Sequence, residues 1–239
     1  MTELIHQQWQ QITGSSWLLG LSLVGFSIGL WVYRRSGSNA FLHPLLIGTP
    51  IIASLVYLWD IDFELYYQAN GALSWLLGPT TVALAVPLSK ELRQLPALLR
   101  PVSLTVLFGG FVAAVLALSL ALLFNTSDLV LLSIAAKSVT TPIAMGITQQ
   151  LGGLLTLITL VVLLTGIIGI VVADVIFKRT GIVDERWQGL ILGVASHAIG
   201  TARAFEISPR CGAFSTLGMG LNGIWTSLFL PSLVALFLH

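Results

Sequence analysis

Residues 135–147 read AAKSVTTPIAMGI, in the middle of an apolar stretch, 128–150. Lys137 places an ammonium group there, Ser138, Thr140 and Thr141 add hydroxyls, and Pro142 removes a backbone donor. A lysine at the centre of a crossing costs about 3 kcal/mol on insertion scales, so it belongs against protein or a water-lined cavity rather than lipid. Proline clashes with the preceding turn and breaks a helix interior. A straight, lipid-facing crossing is therefore a poor reading of 128–150. The flanking charges agree. Cytoplasmic loops collect Lys and Arg. The loop from Asn125 to Asp128 has neither and reads as outside, whereas Lys178, Arg179 and Arg186 mark a later loop as inside. Two full crossings after residue 128 would leave residue 178 outside. The conflict disappears if 128–150 dips into the membrane and returns to the same face as a re-entrant hairpin. The alternative is eight full crossings with a weak charge bias at 178–186, where Asp184 and Glu185 sit beside the basic residues.

The rest of the chain supplies the crossings. Of its 239 residues 56% are hydrophobic and 9% charged, with a mean hydropathy of +0.93; a soluble domain is about 25% charged. A helix needs roughly 20 apolar residues to cross a hydrocarbon core of about 30 Å. Segments 16–33, 41–59, 71–90, 97–124, 128–150, 153–178, 186–205 and 210–238 qualify. Backbone groups in lipid must be bonded internally, and runs this long do not suit barrel strands. The expected fold is thus an all-α polytopic membrane protein with 7–8 transmembrane segments, interrupted or re-entrant helices among them, over residues 16–239. Residues 1–15 are read as an interfacial N-terminal segment with Trp9 at headgroup depth; without Lys or Arg they are not expected to be a cleaved signal peptide.

Five segments read as plain spans: 16–33, 41–59, 97–124, 153–178 and 210–238. Two more are irregular, like 128–150. LLGPTTVALAVPL (76–88) sets Gly78-Pro79 and Pro87 around Thr80 and Thr81, and GVASHAIGTARAFE (193–206) carries Ser196, His197, Thr201 and Arg203 with Gly193 and Gly200. Arg34 and Arg35 mark one loop as inside, Asp60, Asp62 and Glu64 the next as outside, and Lys90, Arg93 and Arg100 the third as inside. With one re-entrant element this gives seven crossings, the N-terminus outside and the C-terminus inside. Segments 41–124 and 153–238 then form triples of opposite direction. At an offset of 115, Leu76-Leu77-Gly78 matches Ile191-Leu192-Gly193, Thr81 matches Ser196, Ala83 matches Ala198 and Glu91 matches Glu206. Inverted-repeat transporters show such a pattern, with broken helices in corresponding places.

A net charge of +1 offers no basic surface to nucleic acid. The single cysteine, Cys211, excludes an internal disulfide and is read as packing at a helix end. His6, His43, His197 and His239 are scattered and make no metal spacing. No phosphate loop, nucleophile elbow or paired acid and base is present, so neither an enzyme nor a cofactor is expected.

Lys137 and Arg203 are the leading candidates for substrate binding, because a cation in the membrane wants an anion partner. A substrate carboxylate is one such partner, and a guanidinium fork fits both its oxygens. The competing reading is that the two snorkel, or pair with Asp174, Glu206 or backbone carbonyls. His197 titrates near neutral pH and is the candidate for coupling protons to transport; the competing reading is a histidine bonded between helices. Thr80, Thr81, Ser138, Thr140, Thr141, Thr201 and Asn222 complete the candidate set. For any one hydroxyl, helix packing is the simpler explanation. Asp174 is read as a helix-end partner for Lys178.

LLGPTTVALAVPL (76–88), AKSVTTPIAMGI (136–147) and GVASHAIGTARAFE (193–206), in this order, resemble the LrgB/CidB family over roughly residues 40–239. The resemblance implies one of two functions. Family members are described as antiholin-like or holin-like proteins tied to murein hydrolase activity and cell lysis, beside a smaller LrgA- or CidA-type membrane partner. Similar domains form half of the plastid-envelope glycolate/glycerate transporter, and bacterial relatives are implicated in pyruvate handling. From the residues, a carrier of small organic anions, proton-coupled through His197, explains the buried cations and broken helices. A regulator working by assembly would instead use faces such as Gly20, Gly25 and Gly29. The expected setting is the cell (inner) membrane, multi-pass, as a homodimer.

Overall fold

The computed structural model describes residues 16–91 and 95–236, apart from the side chains of Ser16, Ala40, Leu77, Gly78, Thr81 and Leu95. The expected interfacial segment 1–15 lies outside the described residues. Those residues are helical, with no strand among them. Five helical runs are long and apolar enough, by length and composition alone, to cross a membrane: Trp17–Arg35, Pro96–Leu123, Leu155–Thr180, Glu185–Ile207, which is interrupted at His197, and Pro209–Ala235. The chain divides into two compact units, 1–83 and 84–239.

In the first unit α1 (Ser16–Arg35) packs on α2 (Pro44–Leu58), followed by the short α3 (Phe63–Ala69) and α4 (Gly71–Ala83). His43 caps α2 by accepting the Leu45 amide on Nδ1 at 3.3 Å. The fifteen residues of α2 rise only about 22 Å at 1.5 Å each, so the expected plain span 41–59 is shorter than a full crossing. The helices approach closely through glycine. A Cβ on Gly29 would lie 2.4 Å from the Pro44 carbonyl oxygen, and one on Gly25 2.4 Å from the Ile52 side chain. The glycine face expected to serve assembly is thus largely used within the chain; of its members Gly20 alone has open space.

The second unit holds α5 (Ala85–Glu91), α6 (Leu95–Leu123), α7 (Asp128–Ile134), α8 (Thr141–Leu151), α9 (Leu155–Thr180), α10 (Glu185–Ile207) and α11 (Pro209–Ala235). The stretch 128–150 is broken, as Lys137 and Pro142 require. The helix stops at Ile134, residues 135–140 turn, and α8 starts with Pro142 in its first turn, where a missing N–H costs nothing. Beyond α8 the chain comes back to α7: the Leu154 amide donates to the Ser133 hydroxyl at 2.7 Å. A Cβ on Gly153 would sit 2.9 Å from the Ser133 backbone.

The larger departure from expectation is α10. As a straight helix it would hold Glu185 and Ser208 about 34 Å apart; instead the Ser208 hydroxyl donates to the Glu185 carboxylate at 2.7 Å. The chain folds back at His197, whose backbone has φ 41° and ψ −128°. These are the dihedrals of the first central residue of a type II′ turn, a position usually held by glycine. Segment 186–205 is therefore a hairpin of two arms, 185–196 and 198–207, and not the single run that the count of crossings assumed. The arms pack tightly at Gly200, where a Cβ would meet the Leu192 carbonyl oxygen at 2.2 Å.

The hairpins open at opposite ends of α9. The first, 128–151, has its mouth at the N-terminus of α9, through Ser133 and Leu154. The second has its mouth at residues 184–185, just past the C-terminus of α9. Around the first hairpin, Leu131, Ala136, Val139 and Ile147 pack against Leu118 of α6, Ile158 and Val162 of α9, and Leu230 and Val234 of α11. Around the second, Leu190 and Val194 pack against Val102 and Val106 of α6. So α6 and α11 run one way and α9 the other. Residue 235 lies at the end of the second unit opposite Lys178 and Arg186, whereas the count of crossings from sequence put the C-terminus on their face.

Charges gather at the mouth of the second hairpin. Arg210 pairs with Glu91, and Asp184 caps α10 by accepting the Arg186 amide at 2.9 Å while holding its guanidinium. That guanidinium keeps the Asp184 carboxyl at about 2, below the usual value of about 3.9. A lowered carboxylate stabilises the fold above the unfolded value and loses that contribution as pH falls through the folded value. In detergent, the melting difference between the native chain and Asp184→Asn should be constant from pH 8 to 5 and vanish between about pH 4 and pH 2. A difference that changes near neutral pH would exclude this origin.

Candidate functional site

The hairpin tips meet in the interior of the second unit, and α11 holds them together. The Asn222 side-chain amide donates to the Ser138 carbonyl at 2.8 Å, on the first tip, and to the Val194 carbonyl at 3.4 Å, beside the second. Both carbonyls are available because the chain leaves regular helix nearby. Asn222 is 1% exposed, and its Oδ1 has no hydrogen-bond partner; it points at Gly110, where a Cβ would be 2.5 Å away. Ser196 Oγ is likewise buried without a partner, 2.1 Å from where a Cβ on Gly169 would be. Glycines on the straight helices thus make room for buried polar atoms, Gly110 of α6 for Asn222 on α11 and Gly169 of α9 for Ser196 beside the second tip.

His197 is 2% exposed and its Nε2 lies 3.2 Å from the Val162 carbonyl of α9. A carbonyl only accepts, so Nε2 carries the hydrogen and the neutral ring keeps Nδ1 as an acceptor. Thr201 donates to the His197 carbonyl at 2.9 Å and therefore accepts from Ser215, also at 2.9 Å. Lys137 is half-buried on the first tip, next to Ser138, and makes no ion pair among the described residues.

Among the candidates from sequence, Lys137, Ser138, His197, Thr201 and Asn222 come together. Thr140 and Thr141 lie just past the first tip, at the start of α8, and Thr140 makes no side-chain cap bond. Thr80 is exposed on α4 of the other unit, and the Thr81 side chain lies outside the described residues. Arg203 lies six residues beyond the second tip, between two carboxylates: it donates to Glu206 at 2.8 Å and to Asp174 at 3.2 Å. Asp174 thus goes to Arg203 and not to Lys178. Ser196 and Ser215 were not singled out as site residues. Ser196 was visible as a neighbour of His197, but nothing in the run 209–235 distinguishes Ser215 from a packing residue. Cys211 is buried at the start of α11, in line with its expected packing role.

The LrgB-like family model matches residues 22–236. The chain belongs to the LrgB-like family. A Staphylococcus epidermidis relative named holin-like protein CidB is 30% identical over 200 residues, covering 84% of this chain and 87% of that one. An uncharacterised Haemophilus influenzae protein is 30% identical over 211 residues, covering 88% and 91%. YxaC of Bacillus subtilis, also uncharacterised, is 34% identical over 197 residues, covering 82% and 86%. No solved structure matches significantly. In this LrgB-like chain the bridge at Asn222 is testable. Asn222→Ala leaves the Ser138 and Val194 carbonyls buried without their donor, a loss of about 1–3 kcal/mol. The melting temperature should fall by several degrees, and an unchanged value would mean that the bridge carries no load.

Proposed function

We propose that this chain is a holin-like or antiholin-like regulator of murein hydrolase export and cell lysis. It works as a multi-pass protein of the cell (inner) membrane beside a smaller LrgA/CidA-type partner. The observation that carries this reading is the match to holin-like CidB proteins over nearly their whole length. Induced expression in a bacterial host, with murein hydrolase activity measured in the culture supernatant, tests it. The reading expects that activity to change with induction. No change, with the protein correctly inserted, would set it aside.

A second reading is favoured by one feature of the site: Lys137, a cation without an ion pair among the described residues, at the meeting point of two broken helices. Half-helix ends and unwound backbone at the midplane are where secondary carriers bind ions and substrates. On this reading both hairpins are re-entrant, and the chain carries small organic anions of the glycolate, glycerate or pyruvate kind. His197, with its free Nδ1, takes up the coupled proton. Uptake of radiolabelled glycolate into liposomes, with and without a pH gradient, separates the two readings. Saturable uptake supports the carrier; none from monodisperse protein, alone and with the partner, excludes it.

A further inference from the structure

The second unit repeats itself at a spacing not visible in the broken segments 71–90 and 186–205. A long straight helix followed by a hairpin occurs twice: α6 with 128–151, then α9 with 185–207. Shifting the sequence by 60 residues superposes them. Leu95 falls on Leu155 and the tip residue Lys137 on the tip residue His197. Val102 matches Val162, Thr105 matches Thr165 and Gly109 matches Gly169 in the straight helices. Ala135 matches Ala195, Thr141 matches Thr201 and Ala144 matches Ala204 in the hairpins. The copies run in opposite directions, with hairpin mouths at opposite ends of α9. Among the described residues of the second unit, the loops then obey the charge rule. Lys90, Arg100, Lys178, Arg179 and Arg186 fall on one face, and the uncharged or acidic turn 124–128 on the other.

The geometry points to an inverted repeat, 95–151 and 155–207, whose two tips close one small-anion site from opposite faces of the membrane, with Lys137 and His197 as its equivalent residues. This rests on the carrier reading. An anion at the junction meets the Lys137 ammonium. The buried Ser196 hydroxyl has no partner and can donate to it, while the buried, unpartnered Asn222 Oδ1 accepts only and suits a hydroxyl of the ligand, not its carboxylate. Each hairpin is pinned at its mouth by a side-chain hydrogen bond, Ser133 to Leu154 and Ser208 to Glu185, and the Asn222 bridge between the tips has to open for either tip to withdraw toward its own face.

Cysteine labelling tests this in the full chain carrying Cys211→Ser. Ser138→Cys and Ala198→Cys place thiols at equivalent positions, each one residue past a tip. A membrane-impermeant sulfonated maleimide is applied to right-side-out and to inverted vesicles, with SDS-unfolded protein as the control for total thiol. The expected result is Ser138→Cys labelled only from outside and Ala198→Cys only from inside. Glycolate at ten times its half-saturating concentration should slow both reactions about ten-fold, the 1 + [L]/Kd of a single site. Labelling of both from one face, or a thiol reactive only in SDS, overturns the two-sided repeat. Opposite-face labelling without protection overturns the shared anion site. Opposite-face labelling in a protein that shows no glycolate flux removes the carrier reading instead.

Discussion

Gly193→Leu should leave the chain unable to form its second hairpin. A Cβ at this position would lie 2.0 Å from the Ser215 carbonyl oxygen, 2.8 Å from its carbon and 2.9 Å from the Met219 nitrogen, all backbone atoms of α11. No rotamer change relieves such a clash; α10 and α11 must separate. Overpacking costs about 1–3 kcal/mol where side chains can give, and here the cost lies at or beyond the upper end. Gly189, one turn earlier, faces the Cys211 carbonyl in the same way, so the two helices share a seam. The variant should aggregate or be degraded, read as loss of the monodisperse peak after detergent extraction. Gly146→Leu is the control, since nothing lies within 4 Å of its would-be Cβ. If both variants extract equally well, the seam is not what holds the hairpin.

On the carrier reading, Lys137→Met should do the opposite, keeping the fold and cutting transport. Placing an ammonium in the membrane interior costs about 3 kcal/mol, and no ion pair among the described residues offsets it. Methionine preserves the length of the side chain and removes that cost, so the melting temperature should hold or rise. A hydrogen bond from a charged group contributes about 1.5–3 kcal/mol. Losing one to a bound anion should cut glycolate flux by roughly ten- to a hundred-fold. Arg203→Gln should behave differently, because it strips Asp174 and Glu206 of a shared partner and lowers stability. If Lys137→Met melts lower and transports normally, Lys137 is a structural residue and the site lies elsewhere.

The sequence announces the first break and conceals the second. Lys137 and Pro142 are each incompatible with a lipid-facing helix, and together they locate the turn between Ile134 and Thr141. Nothing comparable marks His197. Histidine's enrichment at positive φ is mostly in the left-handed helical well, not at the ψ of −128° found here, and the flanking Gly193 and Gly200 owe their presence to close packing rather than to the turn itself. The surrounding structure imposes the backbone geometry there, at about 1–3 kcal/mol, and composition does not reveal such imposed strain. For the same reason Arg203 looked like a site residue. Only the fold-back brings it between Asp174 on α9 and Glu206 on its own arm. Asn222 was legible as a polar residue among Gly218, Gly220 and Gly223, but its role as a clasp between two tips depends on contacts 84 and 28 residues away.

The contact between Ser208 and Glu185 also bears on how such a molecule could arise. An element that returns to the face it left adds length without changing sides. One straight helix plus one such hairpin therefore makes a single net passage, an odd number. When a segment of odd parity is duplicated in tandem, its second copy has to enter the bilayer upside down, with no linker to invent and no charge bias to reverse. A hairpin that instead ran straight through would make the segment even, and the duplicate would lie parallel to the original. The bend at one histidine is thus enough to decide whether doubling this stretch of chain yields two copies facing the same way or two halves facing each other.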